Sequence, residues 1–182
     1  SLTTNIGLAL LVAGLVAAII VGIFSNRLAG LFVGLLCLCL ASGGLLLSQP
    51  SGHIMLVALA AIIAACDIAA YFIGRRLGGP KLWPRVSPNK TISGSIGGLF
   101  AAMSVTFLIA SIFGIDDFVE ALIVGLLIGG LSQAGDLMES AVKRQLDVKD
   151  SGSILPGHGG MLDRFDGYIF VIPAFYLYIF GF

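Results

Sequence analysis

The sequence predicts an all-α protein that crosses a membrane as a bundle of about six helices around a polar cavity open to the cytoplasm. Composition, the lengths of the apolar blocks and the placement of charge carry this expectation. Of the 182 residues, 58% are hydrophobic and 11% charged, with a mean hydropathy of +1.05, too little charge to coat a soluble domain of this size. The apolar residues come in long blocks rather than amphipathic stripes, so lipid is the solvent for most of the chain. The alternation over about ten residues that a membrane β-strand requires is absent.

Six blocks follow in order: residues 6–24, 28–47, 54–74, 96–114, 121–138 and 167–182. At about 1.5 Å per residue, some ~20 residues cross the ~30 Å hydrocarbon core. The first five reach or approach that length. The sixth is shorter and contains Pro173, which predicts a bent or partly inserted helix. The opening SLTTN carries no positive charge, so the first block is not expected to be a cleavable leader. Gly30 and Gly34, Gly94 and Gly98, and Gly125 and Gly129 have the small-xxx-small spacing that lets helices approach closely in lipid. Cys37, Cys39 and Cys66 lie inside apolar blocks and are expected as small buried hydrophobes. With no repeat and no separate soluble stretch, residues 1–182 read as one membrane unit.

Charge orients the bundle. Arg27 follows the first block; Arg75, Arg76, Lys81, Arg85 and Lys90 lie between the third and fourth; Lys143, Arg144, Lys149 and Arg164 lie between the fifth and sixth. These are all ten Lys and Arg residues of the chain, and with six alternating spans they fall on one side. The other side holds Asp116, Asp117 and Glu120. The positive-inside rule then places the basic loops in the cytoplasm and both ends outside. Net charge is zero, which gives no electrostatic reason to expect a nucleic-acid partner.

Asp67 and Asp136 lie within or at the ends of apolar blocks, where an aspartate costs ~3 kcal/mol on insertion scales and so faces a partner or a wet cavity. Asp136, Glu139 and Lys143 share a face if the fifth helix continues, with Ser132 and Ser140 extending it. Asp67 and Tyr71 are neighbours one turn apart on the third helix. Asp163 and Asp166, three apart in LPGHGGMLDRFDGY, present two hard oxygen ligands of the kind Mg²⁺ takes together with water and substrate phosphate. The glycines of PGHGG allow a turn that brings N–H groups up to an anion. Ser87, Lys90 and Thr91 supply hydroxyls and a cation for phosphate oxygens. Carboxylates for a metal, cations for phosphates and an opening to lipid together suggest chemistry on a phosphorylated lipid. An ion transporter or channel lined by Asp67 and Asp136 is the alternative from another class, but it leaves the polar loop without a purpose.

Residues 140–166, SAVKRQLDVKDSGSILPGHGGMLDRFD, resemble the signature of phosphatidate cytidylyltransferases, the CDP-diacylglycerol synthases. The pattern rests on Ser140, Lys143, Arg144, Lys149, Asp150, Pro156, His158, Gly159, Gly160, Asp163, Arg164 and Asp166. Further matches cover residues 67–91 and the GDLMES run at 135–140. After Ser-Pro-x-Lys-Thr the family commonly continues with Trp, then an acidic or small residue, then Gly; here Ile92, Ser93 and Gly94 follow, so the aromatic is missing. The family also usually has a longer amino-terminal part with more spans than this sequence carries.

The resemblance implies transfer of a cytidylyl group from CTP to phosphatidate, releasing pyrophosphate and requiring Mg²⁺, with one metal or two left open. It implies Asp136 and Asp163 as metal ligands supported by Asp166, and Lys143, Arg144 and Lys149 as charge partners of CTP or the lipid headgroup, with Arg164 either doing the same or pairing with an acid. Ser87, Lys90 and Thr91 are implied at the nucleotide phosphates. His158, with Gly159 and Gly160 beside it, either donates to a phosphate oxygen or caps the turn. The implied setting is a bacterial inner membrane with the site facing the cytoplasm, with a homodimer as one open assembly. A CTP-dependent polyprenol kinase and an ether-lipid cytidylyltransferase are alternatives on related scaffolds, though both lack the full His-Gly-Gly-x-x-Asp-Arg-x-Asp string.

Overall fold

The computed structural model describes residues 27–148 and 165–180, together with Val16 and Ile20. Its elements are α1 (Arg27–Leu47), α2 (Gly52–Leu77), β1 (Lys81–Trp83), β2 (Ser87–Thr91), α3 (Ile92–Ile112), α4 (Phe118–Gln145) and α5 (Tyr168–Phe180). Helices α1 to α4 are long and apolar enough to cross a membrane, whereas α5 has 13 residues and is shorter. Of the predicted first span, Val16 and Ile20 are helical and exposed; the rest of it lies outside the described residues.

Apolar packing ties the helices together at two places. Leu59, Ile62, Ile63 and Cys66 of α2 pack with Ala102 of α3, Ile128 of α4 and Val171 of α5. Ala29 and Phe32 of α1 meet Val142 of α4 and Ile169 of α5. Small residues set the closest crossings. A Cβ on Gly98 would stand 2.9 Å from the Cys66 carbonyl oxygen of α2, and one on Gly125 would stand 2.8 Å from the Met103 Cα of α3. Such crossings bring helix backbones close enough for dense van der Waals packing, the main attraction between helices in lipid. The three cysteines are free, with Cys39 and Cys66 buried.

Helix α4 runs on past residue 138 to Gln145, although its last two turns are rich in charge. Glu139 is buried and pairs with Lys143 one turn later, Nζ to Oε1 3.4 Å. Lys143 and Arg144 also oppose the negative end of the helix dipole. The Asp117 Oδ1 accepts from the Glu120 N–H at 2.9 Å and caps the other end.

The departure from an all-helical chain is the hairpin. Its strands are antiparallel, pairing Lys81 with Thr91 and Trp83 with Ser87 across an irregular step. Gly78 and Gly79 adopt φ of 60° and 105°, a region that side chains disfavour, and Pro80 prevents α2 from continuing. The Ile92 N–H returns to the Pro80 carbonyl at 3.0 Å, and Ser93 Oγ donates to the Gly78 carbonyl. The hairpin is thereby held at both feet. The Thr91 hydroxyl accepts from the Gly94 N–H at 3.2 Å and caps α3. Lys90 is thus held one residue before that cap.

Candidate active site

The helix ends nearest the hairpin surround a cavity of about 820 Å³, within the range of small-ligand sites. Helix α2 lines it with Asp67, Ala70, Tyr71, Gly74 and Arg75, a stripe at i, i+3, i+4, i+7 and i+8. The hairpin adds Lys81, Asn89, Lys90 and Thr91; α3 adds Gly94 and Ser95; α4 adds Gln133 and Asp136; the turn before α5 adds Asp166.

Lys90 Nζ donates to Asp136 Oδ2, joining hairpin and α4 through an ion pair. Ser140, one turn after Asp136, donates to its other oxygen at 3.4 Å. Lower in the wall, Ser95 Oγ donates to Gln133 Oε1, and Gln133 Nε2 donates to the Ser95 carbonyl at 3.0 Å. The turn bearing Asp166 rests on small residues of α4. A Cβ on Gly135 would overlap the Asp166 carbonyl oxygen, and one on Gly167 would stand 2.7 Å from Ser132 Oγ.

Burial pushes the Asp166 carboxyl above its ordinary value and Asp136 adds to the rise; a hydrogen bond with Glu139, the Gly167 N–H and the charge of Lys90 act the other way. The Gly167 N–H donates to Asp166 Oδ1 at 2.6 Å. The charged form of Asp166 is therefore incompletely compensated by the protein, a condition that a divalent cation relieves. Among the described residues no three His, Cys, Asp or Glu are grouped to hold a metal. Asp136 and Asp166 nevertheless fit Mg²⁺ as part of a shell, because that ion commonly takes one or two carboxylates and fills the rest with water and phosphate.

The residues expected from sequence divide three ways. Asp136, Asp166, Lys90 and Thr91 line the cavity, as do Asp67 and Tyr71. Ser87 stands at the start of β2 outside the lining; Lys143 turns to Glu139; Arg144 Nη1 donates to the Val148 carbonyl at 3.3 Å. Lys149, His158, Gly159, Gly160, Asp163 and Arg164 lie outside the described residues. Arg75, Lys81, Asn89, Ser95 and Gln133 enter as lining residues not expected individually. Gln133 had a signal, since it stands three residues before Asp136 on one helix face; Ser95 had none.

A family model described as the cytidylyltransferase family matches residues 2–182. The chain is 53% identical over 133 residues to a phosphatidate cytidylyltransferase of Brucella suis, covering 73% of this chain and 48% of that protein. It is 47% identical over 116 residues to one from Bacillus subtilis, covering 63% and 43%. A Staphylococcus aureus relative of the same name is 49% identical over 115 residues, covering 62% and 44%. The chain spans about half the length of the curated relatives it matches.

Proposed function

The chain belongs to the cytidylyltransferase family, and from that premise we propose that it transfers the cytidylyl group of CTP to phosphatidate, giving CDP-diacylglycerol and pyrophosphate. The observation that carries this reading is the meeting of Lys90, Asp136 and Asp166, from three separate segments, in one cavity at the ends of membrane-length helices. The substrates are those for which the Brucella, Bacillus and Staphylococcus relatives are named.

A lipid phosphate oxygen attacks the α-phosphorus of CTP; that P–O bond forms as the bond to the β-phosphate oxygen breaks, and pyrophosphate leaves with the electron pair. Such transfers depend on alignment and charge neutralisation more than on covalent help from the protein. Asp136 and Asp166, with Asp163 beyond the described residues, would hold Mg²⁺, which when bound offsets charge on the phosphates. Lys90 brings its ammonium to the same place and can pass from Asp136 to a phosphate oxygen. The Thr91 cap on α3 holds the lysine in position. Lys143, Arg144, Lys149 and Arg164 would balance the remaining charge of CTP or the headgroup. Ser87 and His158, the latter with Gly159 and Gly160 beside it in sequence, are candidates for contacts with phosphate oxygens.

Six spans, with both ends outside and the cavity facing the cytoplasm of a bacterial inner membrane, complete the reading. The segregation of all ten basic residues supports that orientation. Labelled CTP tests the reaction. Label at the α-phosphate is expected in the lipid product; label entering only from the γ-phosphate would mean a kinase, and no transfer from either position would overturn the reading. Asp163→Asn is expected to leave a folded, extractable protein without lipid-dependent pyrophosphate release.

A further inference from the structure

We propose that Arg75, steadied by Tyr71, receives the phosphomonoester headgroup of the lipid substrate at a lipid-facing mouth of the cavity. This rests on the reading above and assigns one substrate to one part of the wall.

Tyr71 and Arg75 line the cavity, yet Tyr71 is 58% exposed and its neighbours Ile68 and Phe72 are 58% and 57% exposed. The apolar outer surface of α2 therefore runs directly into the cavity wall. Tyr71 stands edge-on to Phe72, ring centroids 5.4 Å apart. Arg75 lies in the last turns of α2, eight positions beyond Asp67, or about 12 Å further along the axis. That separation sets Arg75 nearer headgroup depth than Asp67. Acyl chains can lie against Ile68 and Phe72 while a phosphate reaches inward.

The chemistry of Arg75 differs from that of Lys90. Lys90 already has a carboxylate partner in Asp136. Arg75 Nη1 donates to the Tyr71 hydroxyl at 2.9 Å, a neutral partner, and among the described residues Arg75 pairs with no carboxylate. A guanidinium has five N–H donors in a planar fork, so most of its capacity remains available. A terminal phosphate offers two oxygens in the matching geometry. The competing account, that Arg75 is only another basic residue at the membrane surface, applies equally to its exposed neighbour Arg76. Arg76 is outside the lining, which makes it a built-in control of equal charge.

The test uses the purified full chain in mixed micelles, varying the mole fraction of phosphatidate and the CTP concentration separately. Wild-type turnover establishes the reaction first, so its absence would sink the reaction and not the assignment of Arg75. Arg75→Gln is expected to raise the KM for phosphatidate about tenfold while KM for CTP stays within about twofold. Arg75→Lys should recover part of that loss, and Tyr71→Phe should give a smaller rise of the same kind. Arg76→Gln should behave as wild type. Retention of radiolabelled phosphatidate against phosphatidylcholine in the same micelles gives a readout independent of turnover, and Arg75→Gln should lower it. An unchanged lipid KM and retention, an equal rise in KM for CTP, or the same shift in Arg76→Gln would overturn the proposal.

Discussion

The two ends of the bundle satisfy their polar groups in different ways. At one end, α3 passes to α4 through a tight turn: the Ile115 N–H bonds the Ala110 carbonyl at 2.9 Å, Gly114 takes φ of 68°, and Asp117 caps the next helix. That end also carries a long-range bond, from Tyr178 of α5 to the Glu120 carboxylate across 58 positions of sequence, but between two exposed residues. At the other end, Lys90 meets Asp136 across 46 positions of sequence and Ser95 meets Gln133 across 38, in the wall of a cavity. Distance along the chain does not separate the two ends; burial does. The exposed bond leaves its partners in contact with the surroundings, whereas the half-buried polar groups of the cavity must overcome desolvation and ordering costs, and they frame a site.

Disruption of that contrast should be greatest at the cavity. Asp136→Asn removes a carboxylate oxygen from the proposed cation shell and the partner of Lys90; turnover should fall at least about 100-fold, with unchanged elution of the detergent-solubilised protein. Next come the crossings on which the cavity stands. Gly98→Leu forces a side chain toward the Cys66 carbonyl and should destabilise the protein by about 1–3 kcal/mol or more, read as a lower midpoint of thermal unfolding in detergent. Gly130→Ala is the counterpart on α4, because a Cβ there meets nothing within 4 Å; it should be neutral or slightly stabilising. At the far end, Asp117→Ala removes a cap and should cost about 1 kcal/mol while turnover is retained. Tyr178→Phe, losing one exposed hydrogen bond, should shift stability by less than about 1 kcal/mol and leave KM for both substrates unchanged.

Much of this contrast was legible in the sequence. Block length placed the helices, because every backbone group in lipid must bond within its own segment; the block 28–47 corresponds to Arg27–Leu47 and 96–114 to Ile92–Ile112. The continuation of α4 was harder to place, since its charges resemble a loop until Glu139 is seen buried against Lys143. The hairpin had too little pattern to find: β1 is three residues long, and Pro84 and Pro88 obscure any alternation. Within the site, Asp136, Asp166, Lys90 and Thr91 were readable because acids, a cation and a hydroxyl stand out in apolar surroundings. Arg75 was hidden among other basic residues that serve orientation equally well, and only its place on the wall separates it from Arg76. Ser95 resembles the small polar residues that pack any membrane helix.

The central claim is that carboxylates from α4 and from the turn before α5 grip one divalent cation. The most direct measurement is titration of Mn²⁺ into the purified chain without nucleotide, following the EPR signal of the free ion. The account predicts that the wild type withdraws Mn²⁺ from solution and that Asp136→Asn and Asp166→Asn each weaken that binding at least about tenfold. Binding equal to wild type in both variants would contradict it.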